Sequence, residues 1–278
     1  MVIDRYRHPI LFYTLSLIIP WTLWFMAAYV SYLEPSNKLY MVTESLFGII
    51  GLLSPMVIAF VLILSDPVLR KDLRKRFFGF SHIKPIYLLL TCFLMLTSIL
   101  LAQTISLLFG YSTSQFSFST HFSFTGGIFS AGFLLLIAPI LEELAWHSYG
   151  TDCLRRRFRL FTLSMIFAVF WAFWHLPLSF IKDYYQNQVV ESGVIYSINF
   201  IVSLIPFVIL MNWLYFKTNR NILVPIIFHF TAGFFNEIFF THPMSKVIQT
   251  ILLLFLSLVI VYKERDLFFK LEYGENRT

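Results

Sequence analysis

Apolar residues in this chain run in blocks rather than in the alternating or three-to-four spacing of a half-buried element. Eight blocks stand out: Pro9–Val30, Ser45–Leu64, Pro85–Phe109, Gly127–Gly150, Leu160–Ile181, Val194–Phe216, Ile222–Phe240 and Val247–Tyr262. About 20 apolar residues in a helix cross the hydrocarbon core of a bilayer. The pattern predicts an all-α, polytopic membrane helix bundle of about eight transmembrane helices, with residues 1–278 forming one integral membrane domain. The last two blocks are short for a crossing, so tilt or a water-capped end is expected there. The first block follows Arg5, Arg7 and His8, as in a signal peptide. Its apolar run is long and seven more follow, so an uncleaved anchor is expected. Gly110–Gly126, rich in Ser, Thr and Phe, reads as an outer loop or an interfacial segment.

Composition agrees with that class. Of 278 residues, 58% are hydrophobic and 13% charged, and a soluble domain carries about twice that charged fraction. The net charge of +6 does not point to nucleic acid, because its basic residues sit in short connections between apolar blocks. Arg70, Lys71, Arg74, Lys75, Arg76 and Lys84 occupy one connection, and Arg155, Arg156, Arg157 and Arg159 another. Lys217 and Arg220 precede the seventh block, and Lys263, Arg265, Lys270 and Arg277 follow the eighth. The alternate connections hold Lys38, Lys182 and Lys246, one each, and Gly110–Gly126 holds neither Lys nor Arg. Basic loops stay cytoplasmic, so both termini are expected in the cytoplasm, and a multi-pass protein of the bacterial cell membrane is the expected setting. Two cysteines, Cys92 and Cys153, give no disulfide framework and no thiolate metal site. The 33 phenylalanines read mostly as lipid-facing bulk.

Three blocks carry polar groups that a plain span does not need. The fourth holds Glu142, Glu143 and His147; the fifth holds His175; the seventh holds His229, Asn236 and Glu237. A carboxylate in hydrocarbon is costly unless protonated, paired or solvated, which makes the Glu pair a functional-site candidate. At 1.5 Å per residue, Glu142 lies about 20 Å from Arg155, His175 about 24 Å from Arg159 and His229 about 13 Å from Arg220, so the three are able to meet at one depth. Glu142 and Glu143 point about 100° apart and serve different roles, while His147 shares the face of Glu143. Pro139, just before the pair, frees a backbone carbonyl and favours a kinked, water-accessible pocket. Glu237 and His242 are expected at the outer interface. In such a pocket a glutamate takes a proton from water, while histidines hold a metal or polarise a carbonyl. Peptide-bond hydrolysis is the natural candidate. Plainer roles compete: a single histidine near a helix end is more often an interface residue, and Glu143–His147 also suits a structural hydrogen bond. A His-Glu-x-x-His helix motif is absent.

The constellation resembles the CPBP intramembrane protease family, also called the Abi or CAAX-protease family, which includes the type II CAAX prenyl endopeptidases. Glu142-Glu143-Leu144-Ala145-Trp146-His147 stands where the family has Glu-Glu-x-x-x-Arg; Trp171-Ala172-Phe173-Trp174-His175-Leu176-Pro177 fits its Trp-x-x-Trp-His-x-Pro; His229 opens its third motif. The motif core covers about 127–241. The resemblance implies an intramembrane metalloendopeptidase acting on a membrane-associated peptide or protein. Glu142 would be the base that activates water and Glu143 a supporting carboxylate. His175 and His229 would be ligands of zinc or another divalent metal, or stabilisers of the transition state.

Two positions depart from the family pattern. His147 replaces the motif arginine, removing a permanently charged, five-donor partner of Glu143. Gly233 replaces the motif Asn or Asp, and Asn236 lies a turn too far along the helix to replace it simply. Both departures lead to an expectation of reduced activity, with His147 and Asn236 in supporting roles. Two other readings remain at this point: a noncatalytic scaffold or bacteriocin-immunity protein, and, less well supported, an ion-coupled transporter lacking the expected repeats.

Overall fold

The computed structural model describes residues 2–33, 37–79, 83–119, 122 and 127–271. It is a polytopic helical membrane bundle. Helices α1 (Pro9–Ser31), α2 (Lys38–Leu64), α3 (Pro67–Phe78) and α4 (Pro85–Ser106) come first. Next is α5 (Ala131–Ala145), which passes through a π-helical turn, Trp146–Gly150, into α6 (Thr151–Arg155). Then follow α7 (Leu160–His175), α8 (Tyr185–Ser192), α9 (Val194–Lys217), α10 (Leu223–Ile238), α11 (Pro243–Lys263) and α12 (Arg265–Phe269). Among the described residues, seven helices or helix runs are long and apolar enough to cross a membrane, and α10 is a shorter apolar helix.

Local chemistry sets several of these starts. Asn37 accepts from the Leu39 amide at 2.9 Å and opens α2, which therefore begins seven residues before the expected Ser45. Asp66 caps α3 by accepting from Val68 N at 2.8 Å, with Pro67 preset at the first helical position. Pro243 likewise starts α11 earlier than the expected Val247, giving 21 residues and a full span. The expected shortness holds for α10 alone. Its 16 residues rise about 24 Å, less than the hydrocarbon thickness. The fourth span is displaced toward the C-terminus, running Ala131–Arg155 because the π turn carries it on. Residues 120, 121 and 123–126 of the Gly110–Gly126 segment lie outside the described residues. Its near part forms a 3-10 turn at Thr113–Phe116, and Phe118 makes an isolated antiparallel bridge to Phe239.

The core brings α5 against α2 and α10, α7 against α9, and α4 against α10 and α11. Helix directions then fix which residues share an end. One end gathers the basic connections and a buried ionic cluster. The other carries the N-terminal halves of α2, α5, α9 and α11 and the C-terminal halves of α7 and α10, with α8 between them.

Candidate active site

That second end encloses a cavity of about 380 Å³, in the size range of ligand sites. Its walls include Leu52, Met95, Leu135, Leu204 and Phe207, and it receives Glu142, His175 and His229 together. The three residues expected to meet at one depth therefore line one space. Glu44, Gln188, Asn236, Glu237 and Lys246 add polar groups to the lining. Glu237, expected at the interface, is 6% exposed and belongs to this wall.

The two glutamates are separated by their partners. Glu142 Oε2 accepts the Trp171 indole N–H at 2.8 Å and the Trp146 N–H at 3.4 Å, which leaves Oε1 without an indole. Trp146 follows Glu142 by one helical turn, and Trp171 comes from α7. Glu143 is fully buried and faces imidazoles instead. His147 Nδ1 donates to its Oε2, and His229 Nδ1 donates to its Oε1 at 2.8 Å. Trp171 packs edge-on to His229, with centroids 5.2 Å apart, and lies 5.4 Å from His175. His175 Nδ1 donates to the Trp171 carbonyl at 2.7 Å. Each cavity histidine thus has its Nδ1 hydrogen committed, and its Nε2 carries the lone pair when the ring is neutral.

The donor types suit zinc. An imidazole whose second nitrogen is held by a carbonyl or carboxylate is the usual arrangement behind a metal ligand. Among the described residues, however, three or more His, Cys, Asp or Glu side chains do not gather into a metal-holding group. Asn236 lines the cavity, but its amide donates to Ala232 O at 2.9 Å on its own helix. Gly233 also lines the cavity. A Cβ built there meets one neighbour within 4 Å, Leu135 Cδ2 at 3.4 Å.

Several contributors were not singled out from sequence. Asn212 on α9 faces His147 Nε2 at 3.0 Å; a lone amide within an apolar block was the available signal. Arg76, Tyr215 and Asp152 form part of the ionic cluster behind the π turn. Arg76 donates to the carbonyls of His147 at 2.9 Å and Ser148 at 2.8 Å, to Asp152 Oδ2 at 2.9 Å and to Tyr215 Oη at 2.6 Å. Arg220 closes the cluster on Asp152 and Asp72. Burial alone would lower the Arg220 pKa, but the Asp152 carboxylate overrides this and holds it above its ordinary value. Gly150 ends the π turn where Phe12 and Tyr13 press in; a Cβ would meet them at 2.8 and 2.9 Å.

A multi-helix membrane bundle that buries a carboxylate pair beside two partly buried imidazoles on an apolar cavity is a polytopic membrane protein with a candidate site among its spans. Residues 124–235 match the family described as type II CAAX prenyl endopeptidase Rce1-like. Over 272 residues the chain is 33% identical to CAAX prenyl protease 2 of Methanococcus maripaludis, covering 97% of this chain and 99% of that protein. The chain belongs to the CAAX prenyl endopeptidase family. It is an integral, multi-pass membrane protein of protease type, for which a peptide or protein is the substrate.

Proposed function

We propose that the protein is an intramembrane endopeptidase that hydrolyses a peptide bond of a membrane-associated protein or peptide, with Glu142 activating water. The supporting observation is the pairing at Glu142. Two indoles fix one oxygen, while the carboxylate lines a cavity shared with two imidazoles. In this reading Glu142 takes a proton from water as the water oxygen bonds to the scissile carbonyl carbon. The carbonyl oxygen becomes an oxyanion, and the Nε2–H of His229, in its protonated form and backed by Glu143, donates to it. Collapse expels the amine, which takes the proton held by Glu142, so protons balance over one turnover. His175, fixed by the Trp171 carbonyl, orients the water or the substrate.

The relative's printed name points to a prenylated CAAX end as the substrate to try, and the apolar walls suit a lipid-modified chain. The direct test incubates detergent-purified protein with a farnesylated CAAX peptide and compares wild type with Glu142→Gln and His229→Ala. Loss of cleavage by a factor of 10² or more in Glu142→Gln is expected for a missing general base; equal cleavage by all three would overturn the reading. A divalent ion on the Nε2 atoms of His175 and His229 is the second reading, favoured by their committed Nδ1 hydrogens. It would polarise the carbonyl and activate water. Metal content before and after chelation, in wild type and His175→Ala, checks it.

A further inference from the structure

The basic residues between the second and third spans are not spread along a loop. Helix α3 carries most of them on one face. At 100° per residue, Arg70, Arg74, Lys71 and Lys75 fall within an arc of about 140°. All four are exposed. Leu69, Asp72 and Arg76 occupy the opposite arc and are buried. That inner face is engaged throughout. Asp72 Oδ2 lies 2.9 Å from Arg76 Nε, and it accepts the Tyr6 hydroxyl at 2.8 Å and Arg220 Nη2 at 2.9 Å. Arg76 holds the carbonyls of His147 and Ser148.

The outer face has no such partners. Asp72 is the one acidic residue of α3, and its carboxylate is spent on the inner face. Among the described residues, none of the four outer cations forms an ion pair. Arg70 and Arg74 stand at i,i+4, as do Lys71 and Lys75, and like charges at that spacing repel and oppose the helix. The helix forms against this repulsion because Asp66 caps its start and the ionic cluster ties down its inner face. An anionic surface laid along the outer face would relieve it.

Position selects the anion. Two residues, Ser65 and Asp66, separate α3 from the end of α2, and α4 begins at Pro85. Both neighbours are spans, so α3 is held at the edge of the bilayer. Leu64, Val68, Phe78 and Ile86, all exposed, bracket its outer face. Cations flanked by exposed apolar side chains suit the boundary between headgroups and acyl chains, where Lys and Arg reach the phosphates along their apolar stems. A soluble acidic protein would leave those apolar groups unmatched. We propose that the outer face of α3 is a docking site for anionic phospholipid headgroups. Lipid held there also steadies the inner face, because Arg76 on the same helix carries the carbonyls of the π turn behind the candidate site.

The test places the full-length protein in nanodiscs, either of phosphatidylcholine alone or of phosphatidylcholine and phosphatidylglycerol in equal parts, and reads the thermal unfolding temperature. Phosphatidylglycerol is expected to raise it by about 5 °C, as a ligand in excess of its dissociation constant does. Replacing all four cations (Arg70→Gln, Lys71→Gln, Arg74→Gln and Lys75→Gln) should abolish the rise. It should leave the phosphatidylcholine value equal to wild type or higher, because the repulsion is gone. Lys263→Gln with Arg265→Gln, which removes exposed cations elsewhere at the same end, should keep the rise. If the fourfold variant does not fold, Arg74→Gln with Lys75→Gln should show about half the rise, since each cation near an anionic surface contributes a similar share; a full rise there would overturn the proposal. So would no rise in wild type or an equal rise in the fourfold variant. Loss of the rise in the Lys263 and Arg265 variant would assign the effect to the charge of the whole end and overturn a site on α3. An equal rise in phosphatidylcholine discs given inorganic phosphate or polyglutamate would assign the face to a free anion or a soluble acidic partner, and would overturn it too. None of these outcomes depends on whether any peptide is cleaved.

Discussion

At the scale of single residues, adjacent glutamates are assigned opposite surroundings by 100° of helix rotation. Glu142 sees two indoles and the cavity; Glu143 sees two imidazoles and no solvent. This division was legible in the sequence, because spacing alone separates the faces and the price of a carboxylate in hydrocarbon marks both residues. Asn212 was not legible. One amide among Leu210, Met211 and Trp213 carries no period, and its meaning depends on which helix it meets. The indole donors were half visible: Trp171 stood in the motif as an aromatic, but a hydrogen bond to Glu142 depends on the rotation of α7 against α5. Gly233 gives a prediction at this scale. The cavity wall has room for a side chain there, with Leu135 the one close neighbour. Gly233→Asn would restore an amide near the reacting carbonyl, and removing such a donor elsewhere costs about 10²–10³ in kcat. A rise in kcat of about tenfold or more, with KM little changed, is expected with the farnesylated CAAX peptide. An unchanged kcat would show that the missing amide does not limit the rate.

At the scale of elements, the continuity of α5 into α6 is the feature that sequence could not supply. A π turn inserts a residue into the helical ladder, and its freed carbonyls need donors that are distant in the chain. Arg76, more than seventy residues earlier, supplies them, so α3 is fixed to the motif helix through His147 O and Ser148 O. From the sequence Arg76 was one of several basic loop residues, sorted by side of the membrane rather than by contact. The block boundaries were legible to within a few residues where Pro or Asn marks a start, and least so at the π turn, which propensity does not announce. The cluster pairs two arginines with two aspartates, and the side chains of Arg76 and Asp152 are 3% and 0% exposed. Removing one member of a buried pair costs about 3–5 kcal/mol, because the other is left uncompensated. Arg76→Leu should therefore lower the thermal unfolding temperature in detergent clearly, and Arg76→Leu with Asp152→Leu should recover part of the loss. Unfolding of Arg76→Leu at the wild-type temperature would remove the cluster from the account of how the motif helix is held.

At the scale of the whole molecule, charge and cavity lie at opposite ends. Arg70 to Lys84, Arg155 to Arg159, Lys217 with Arg220, and Lys263 with Arg265 flank one end of the bundle. The cavity is built from the other halves of the same helices. Basic connections stay in the cytoplasm, so the cavity is expected to open toward the extracytoplasmic side, with the Arg76, Arg220, Asp72 and Asp152 cluster closing the cytoplasmic end. Two exposed positions separate the alternatives: Lys182, before α8 at the cavity end, and Arg157, at the basic end. The native thiols interfere little, Cys153 being buried and Cys92 partly so. With a membrane-impermeant maleimide on intact cells, Lys182→Cys should label and Arg157→Cys should label only after lysis. The reverse pattern would mean that this bundle sits against its own charge bias, with its site open to the cytoplasm. The distinction reaches the substrate. A chain end lipidated in the cytoplasm would meet the closed, ionic end of an outward-opening protein, whereas a peptide presented from the outer leaflet would meet the end whose cavity α8, the N-terminal half of α9 and Glu142 line together.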